Sequence, residues 1–291
     1  MNARRRVWID TDPAVTAGNG EVDDAFALIQ ALRSPELEIV GISAVFGNTD
    51  IDHTYAMTKE IVARAERNDV PVYRGCGESG DRQSNAATEA LREALASAPL
   101  TIAALGPLTT IAAALGQAGA AMAHVTEIIF VGGRREGLEF RATPTQAQPF
   151  RDLNFELDSP AAAELLALNL PMTLAGWEVS AKMWLTPDDL DRLGVEGDAC
   201  VQWLAASARG WQADWQRNFA APGFTPFDTL AIGWMLAPEL FETHHWPAQI
   251  FQDGNRAMLI ADPKLQSSTA TYLRSVDNDA FRADLMGRLL A

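Results

Sequence analysis

Val7-Trp8-Ile9-Asp10-Thr11-Asp12-Pro13 is followed, after residues 14–21, by Val22-Asp23-Asp24-Ala25-Phe26-Ala27-Leu28. The first stretch reads as a short buried strand that ends in two acids. The second reads as a helix that opens on two more, where carboxylates suit the helix dipole. Four carboxylates near one strand end repel one another unless a cation or protons neutralise them. Hard oxygen donors of this kind favour Ca²⁺ or Mg²⁺, and Ca²⁺ tolerates an irregular shell of about 6–8 oxygens. An isolated Asp-Asp pair would read as a capped, solvated helix start; the Asp-Thr-Asp-Pro strand end just upstream favours a metal site.

Further along, short apolar runs bounded by Gly, Pro or polar residues alternate with helical patterns. Strands are expected over residues 6–11, 38–44, 70–73, 101–105, 127–131, 172–175 and 270–275. Helices are expected over 24–33, 50–65, 86–96, 108–118, 160–168, 197–217 and 279–290. Ser159-Pro160 and Thr186-Pro187 read as a capping hydroxyl before a proline in the first turn. The alternation predicts an α/β fold: a Rossmann-like open sheet, mostly parallel, flanked by helices, with residues 1–291 as one domain. In such sheets ligands bind beyond the carboxyl ends of strands. Asp10 and Asp12, Gly47-Asn48, and Leu105-Gly106-Pro107 all stand at such ends, so they converge.

Composition narrows the partners. The formal charge of −15 disfavours nucleic acid or an anionic membrane, and leaves a free nucleoside, a sugar or a metal ion open. With only Cys76 and Cys200, no disulfide framework is expected. The basic start, residues 1–6, runs straight into the first strand without an apolar signal region, and no run reaches the roughly 20 apolar residues that span a bilayer. A cytoplasmic protein is the expectation. Two competing motifs fail. Asp10-Thr11-Asp12 resembles the Asp-x-Asp-x-Thr/Val of haloacid-dehalogenase-like phosphatases, but Ala14 stands at its last position. Gly75-Cys76-Gly77-Glu78-Ser79-Gly80 fits G-x-G-x-x-G without the strand–helix setting that pattern needs, and reads as a loop.

Taken in order, Asp10-Thr11-Asp12-Pro13, Asp23-Asp24-Ala25, Val45-Phe46-Gly47-Asn48, Leu105-Gly106-Pro107-Leu108-Thr109, Val131-Gly132-Gly133, Asp152-Leu153-Asn154 and Phe227-Asp228-Thr229-Leu230-Ala231 resemble the blocks of the inosine–uridine-preferring nucleoside hydrolases. The resemblance implies hydrolysis of the N-glycosidic bond of a small-molecule ribonucleoside. It implies Asp12, Asp24, Asp228 and the main-chain carbonyl of Leu105 as Ca²⁺ ligands, and Asp23 as general base. Asn48, Asp152 and Asn154, with Asp228, would hold the ribose hydroxyls, and Asp10 would support the metal shell. A homodimer or homotetramer is the family habit.

The chain departs from the family pattern in four places. Nine residues, 14–22, separate Pro13 from Asp23 where the common motif has two, and residues 17–20 read as a turn. Phe227 stands where many members carry a histidine that helps the base depart. The usual His-Gly segment after the third strand is replaced by Ser84-Asn85-Ala86-Ala87. Asp152 replaces the more usual Glu. None of His53, His124, His244 and His245 falls in a site position, so surface or helix-packing roles are expected for them. An aromatic wall from Trp211, Trp215 and Phe219, with Phe224 and Phe227, is the alternative means of gripping the base, although the i,i+4 spacing of Trp211 and Trp215 also suits plain core packing. The competing function is a ribose- or nucleoside-binding protein that keeps the metal site without catalysis; an intact Asp23 favours the enzyme.

Overall fold

The structure, a computed structural model, describes residues 4–291 apart from Asn19 and Asn255. Residues 1–3 of the basic start and Asn19 of the expected turn therefore lie outside the described residues. Ten strands are described: β1 (Arg5–Thr11), β2 (Leu37–Ala44), β3 (Val72–Arg74), β4 (Leu100–Ala104), β5 (Val125–Phe130), β6 (Arg134–Arg135), β7 (Met172–Leu174), β8 (Phe241–Asp253), β9 (Arg256–Ala261) and β10 (Thr269–Val276). They form one sheet in the order β3-β2-β1-β4-β5-β7-β10-β8-β9-β6. Every pairing from β3 across to β10 is parallel. β8 runs antiparallel to both β10 and β9, and β6 closes the far edge parallel to β9.

The mostly parallel open sheet agrees with the expectation, and the seven expected strands are present with ends shifted by a residue or two. β1 explains why the pattern was readable. It lies between β2 and β4 and is covered on both faces, so Val7, Trp8 and Ile9 are all buried. Alternate side chains serve opposite cores: Val7 and Ile9 join the cluster that includes Phe26 and Leu28, whereas Trp8 joins Leu91 and Ile111 on the other face. The helix Asp23–Leu32 is buried along its whole length.

The β8–β9 hairpin and β6 were not expected. β8 carries Pro247 and many half-exposed residues, so it offers no uninterrupted apolar run. One cap also differs. Asp158, not Ser159, caps the helix Ser159–Ala167: its side chain accepts from Ala161 N at 3.1 Å, and Ser159-Pro160 are the first helical residues. At the helix Pro187–Glu196 the expected cap stands, with Thr186 and Asp189 forming a reciprocal capping box. Cys76 and Cys200 are buried free thiols. Among the described residues no helix is long and apolar enough to cross a membrane.

Candidate active site

The strand order reverses beside β1: the chain builds outward through β2 and β3 on one side and through β4 and β5 on the other. Beyond the carboxyl ends of β1 and β4 opens a cavity of about 610 Å³. Asp23, Asn48, Leu105, Asp152, Asn154 and Asp228, which are scattered along the chain, all line it. Asp12 and Asp24 are buried directly behind them, at 0% and 1% exposure.

The acids are tied into one network. Thr11 Oγ1 and Asp12 N both donate to Asp24 Oδ1, the latter at 3.0 Å. Asn48 N donates to Asp12 Oδ2 at 2.7 Å. The Asp24 and Asp228 carboxyls lie close enough to perturb each other, and the Asp23 carboxyl faces the main chain of Phe227 at the start of its helix. Asp10 stands apart from this set and accepts from Ser43 Oγ, which itself accepts from Trp8 Nε1 at 2.8 Å. Burial, reinforced by mutual repulsion, pushes Asp12, Asp23 and Asp228 well above the usual carboxylate range. Burial raises Asp24 too, and pushes Asp10 up to about 8.

A cation fits this donor set. Asp12 Oδ1 is fully buried and has no hydrogen-bond partner, which is costly for a carboxylate oxygen unless a positive charge faces it. Glycines leave room around that carboxylate. A Cβ at Gly47 would come within 2.0 Å of Asp12 Oδ2, and one at Gly106 within 2.6 Å of Oδ1. Carboxylate oxygens of Glu21, Asp23 and Asp24 also lie within 4.8 Å of one another.

Glu21 is a polar site residue that sequence reasoning missed. It sits in the lengthened loop, yet is only 5% exposed and borders the cavity. Its Oε1 accepts Asp23 N–H and its Oε2 accepts Asn48 Nδ2 at 3.1 Å. The available signal was its place two residues before the Asp-Asp pair.

The two asparagines are oriented alike. Asn48 Nδ2 donates to Glu21 Oε2 and, at 3.5 Å, to Asp24 Oδ2. Asn154 Nδ2 donates to the carbonyl oxygens of Leu105 at 2.5 Å and Val131 at 3.1 Å. All four partners are pure acceptors, so each amide must present NH₂ to the protein, which leaves the carbonyl oxygens as the groups free to accept from a ligand. Asp152 adds another acceptor. Its Oδ2 is held by Gly133 N at 2.9 Å, in a turn where Gly133 takes φ +86°, and burial pushes its carboxyl up to about 6 against the lowering pull of Arg134.

The rest of the cavity is aromatic. Trp211, Trp215, Phe219 and Phe227 line it as expected, joined by Phe140, Phe150 and Trp177, which the sequence reading did not assign. Trp177 is central: its ring lies 5.6 Å from Phe140, 5.4 Å from Phe150 and 5.4 Å from Phe227. Phe224 is not part of the wall. It is fully buried and packs 5.7 Å from Phe26 in the core. Among the described residues no histidine lines the cavity. His53 and His124 contact the main-chain oxygens of Val15 and Leu95, while His244 stacks on Trp246.

Residues 7–283 match the sequence profile of the inosine-uridine preferring nucleoside hydrolases. A pyrimidine-specific ribonucleoside hydrolase of Klebsiella pneumoniae is 27% identical over 98% of both chains, and an uncharacterised protein of Schizosaccharomyces pombe is 24% identical over 98% of both. Among solved structures, a purine-preferring ribonucleoside hydrolase from Gardnerella vaginalis superposes with a TM-score of 0.86 at 20% identity over 98% of both chains. A plant nucleoside hydrolase gives 0.84 at 22% identity over 99% of both. A polar, acid-floored crevice at the β1/β4 switch point and a profile match over nearly the whole length agree, and the chain belongs to the inosine–uridine preferring nucleoside hydrolase family, enzymes that cleave N-glycosyl bonds.

Proposed function

We propose that this chain hydrolyses the N-glycosidic bond of ribonucleosides, or of a modified ribonucleoside, to ribose and free base. The observation that carries the reading is the division of the cavity. One half consists of buried carboxylates and two asparagine carbonyls, and the other half is aromatic. Acceptor groups suit a sugar whose hydroxyls donate, and aromatic faces suit a planar base.

Asp12, Asp24, Asp228 and the Leu105 carbonyl are the residues that would hold Ca²⁺. When bound, the ion supplies positive charge that binds ribose hydroxyls and acidifies a water molecule. Asp23 borders the cavity and takes the water's proton. Burial, and after it the charge of Asp24, hold the Asp23 carboxyl above the usual carboxylate range. Asn48, Asp152 and Asn154 accept from the sugar hydroxyls and fix the ring. The surrounding carboxylates favour the positive charge that develops on the sugar as the bond breaks.

Trp177, Trp215 and Phe227 enclose the base and exclude water. With no histidine among the described residues of the cavity wall, the ribose half is better equipped than the leaving-group half, which favours a base that departs readily. The test is a panel of natural nucleosides beside p-nitrophenyl riboside, followed by release of ribose. Cleavage of the nitrophenyl compound is expected to exceed that of ordinary nucleosides. Ribose binding without cleavage of any riboside would replace the enzyme with a binding protein.

A further inference from the structure

Glu21 lies in the stretch that lengthens the aspartate loop, and burying its carboxylate next to Asp23 and Asp24 opposes folding through desolvation and like-charge repulsion. Its two oxygens are both engaged, one by Asp23 N–H and the other by the Asn48 amide at 3.1 Å. We propose that Glu21 is a positioning residue for sugar recognition: it locks the Asn48 amide with its carbonyl oxygen toward the cavity, so that the site selects a hydroxyl able to donate there. The inference rests on the reading of the cavity as a riboside site.

The geometry separates this role from general support of the fold. Asn48's main chain is held independently, by its N–H to Asp12 Oδ2 at 2.7 Å. Within Asn48 only the side-chain amide leans on Glu21, and a glutamine at 21 keeps an oxygen for the other group it holds, Asp23 N–H. Without the Glu21 carboxylate, Nδ2 keeps just the contact with Asp24 Oδ2 at 3.5 Å, the limit of a hydrogen bond. An amide can turn over with little change in shape, exchanging an acceptor for a donor. A carboxylate partner forbids the turned form because it can only accept, whereas a glutamine in its place allows both forms. Asn154 needs no such residue, since two main-chain carbonyls fix it.

The experiment uses the full chain with Ca²⁺. It compares p-nitrophenyl riboside with its 2′-deoxy and 3′-deoxy counterparts for the wild type, Glu21→Gln, Asn48→Ala and the double variant. Glu21→Gln is expected to raise KM for the riboside about tenfold while kcat changes far less. The preference for the riboside over one of the two deoxy compounds should fall by a similar factor. In the Asn48→Ala background, Glu21→Gln should add nothing to that ratio, because the group it acts through is gone. Calorimetry should find that Glu21→Gln still binds Ca²⁺, weakened only by the loss of one neighbouring charge, about tenfold or less.

An unchanged ribo/deoxy ratio, or an effect that adds to that of Asn48→Ala, overturns the proposal. A Glu21→Gln variant whose Ca²⁺ binding falls about a hundredfold or more overturns it in favour of a cation ligand. A wild type that cleaves no riboside overturns instead the reading on which it rests.

Discussion

Replacing Asp152 by asparagine should make the protein more stable and its substrate binding worse, in a pH-dependent way that follows from its burial. The carboxyl is 4% exposed and is pushed from 3.8 up to about 6, mainly by desolvation. A carboxyl whose folded pKa is raised contributes stability below its unfolded value, and that contribution is lost as pH rises through the folded value. The window here runs from about pH 4 to just above pH 6. A shift of roughly two units corresponds to about 3 kcal/mol of penalty once the group is ionised. The amide of the Asp152→Asn variant keeps an oxygen for Gly133 N–H and never incurs that penalty. For a chain of this length the unfolding entropy is about 0.6 kcal/mol per kelvin, so Tm should rise about 5 °C at pH 8 and hardly at all at pH 4. Binding should move oppositely. In the wild type, affinity for p-nitrophenyl riboside should rise as pH goes from 5 to 7 and Asp152 ionises, and the variant should lose that rise. Scanning calorimetry at the two pH values, with KM measured across pH 5–7.5, checks both halves. Equal Tm changes at pH 4 and pH 8, or the same KM profile in the variant, would refute the reasoning.

Other expectations concern the remaining groups. Asp23→Asn should lower kcat about 10²–10⁴-fold, the range for loss of a general base, while calorimetric Ca²⁺ binding persists; near-normal turnover would remove Asp23 as the base. Phe227→His places a protonatable group against the aromatic wall, and should raise cleavage of inosine or uridine relative to p-nitrophenyl riboside at least about tenfold. No change in that ratio would mean that leaving-group protonation is not what the site lacks. Ca²⁺ at about 100 times its dissociation constant should add about 2.7 kcal/mol, a Tm rise of about 4–5 °C by the same arithmetic. The rise should be smaller at pH 5, because the raised carboxyls then hold protons that compete with the ion. A calcium effect independent of pH would sever the link to these aspartates.

Much of the site was legible because parallel buried strands read as apolar runs and stop abruptly. Asp12, Asn48 and Leu105 are marked by the strands they follow, and the sheet order makes those ends neighbours. The β8–β9 hairpin was hidden because Pro247 and a half-exposed face break its pattern. Phe140 and Phe150 stand in irregular chain linked by a lone bridge, and they meet Trp177 only through tertiary packing. Trp177 itself follows the end of β7, where the strand-end rule would have found it. Phe224 failed in the other direction: its place among aromatics gave no sign that it turns into the core against Phe26. Glu21 carried only the hint of its place two residues before the Asp-Asp pair, because its contact with the Asn48 amide arises in the tertiary fold.

The most direct test of a carboxylate-held cation working on ribose is the initial rate of p-nitrophenyl riboside cleavage by the wild type, after chelation and again after calcium is restored. Loss of activity on chelation, with recovery on adding calcium, is the predicted result. Full activity in the chelated protein, or none with calcium present, would contradict it.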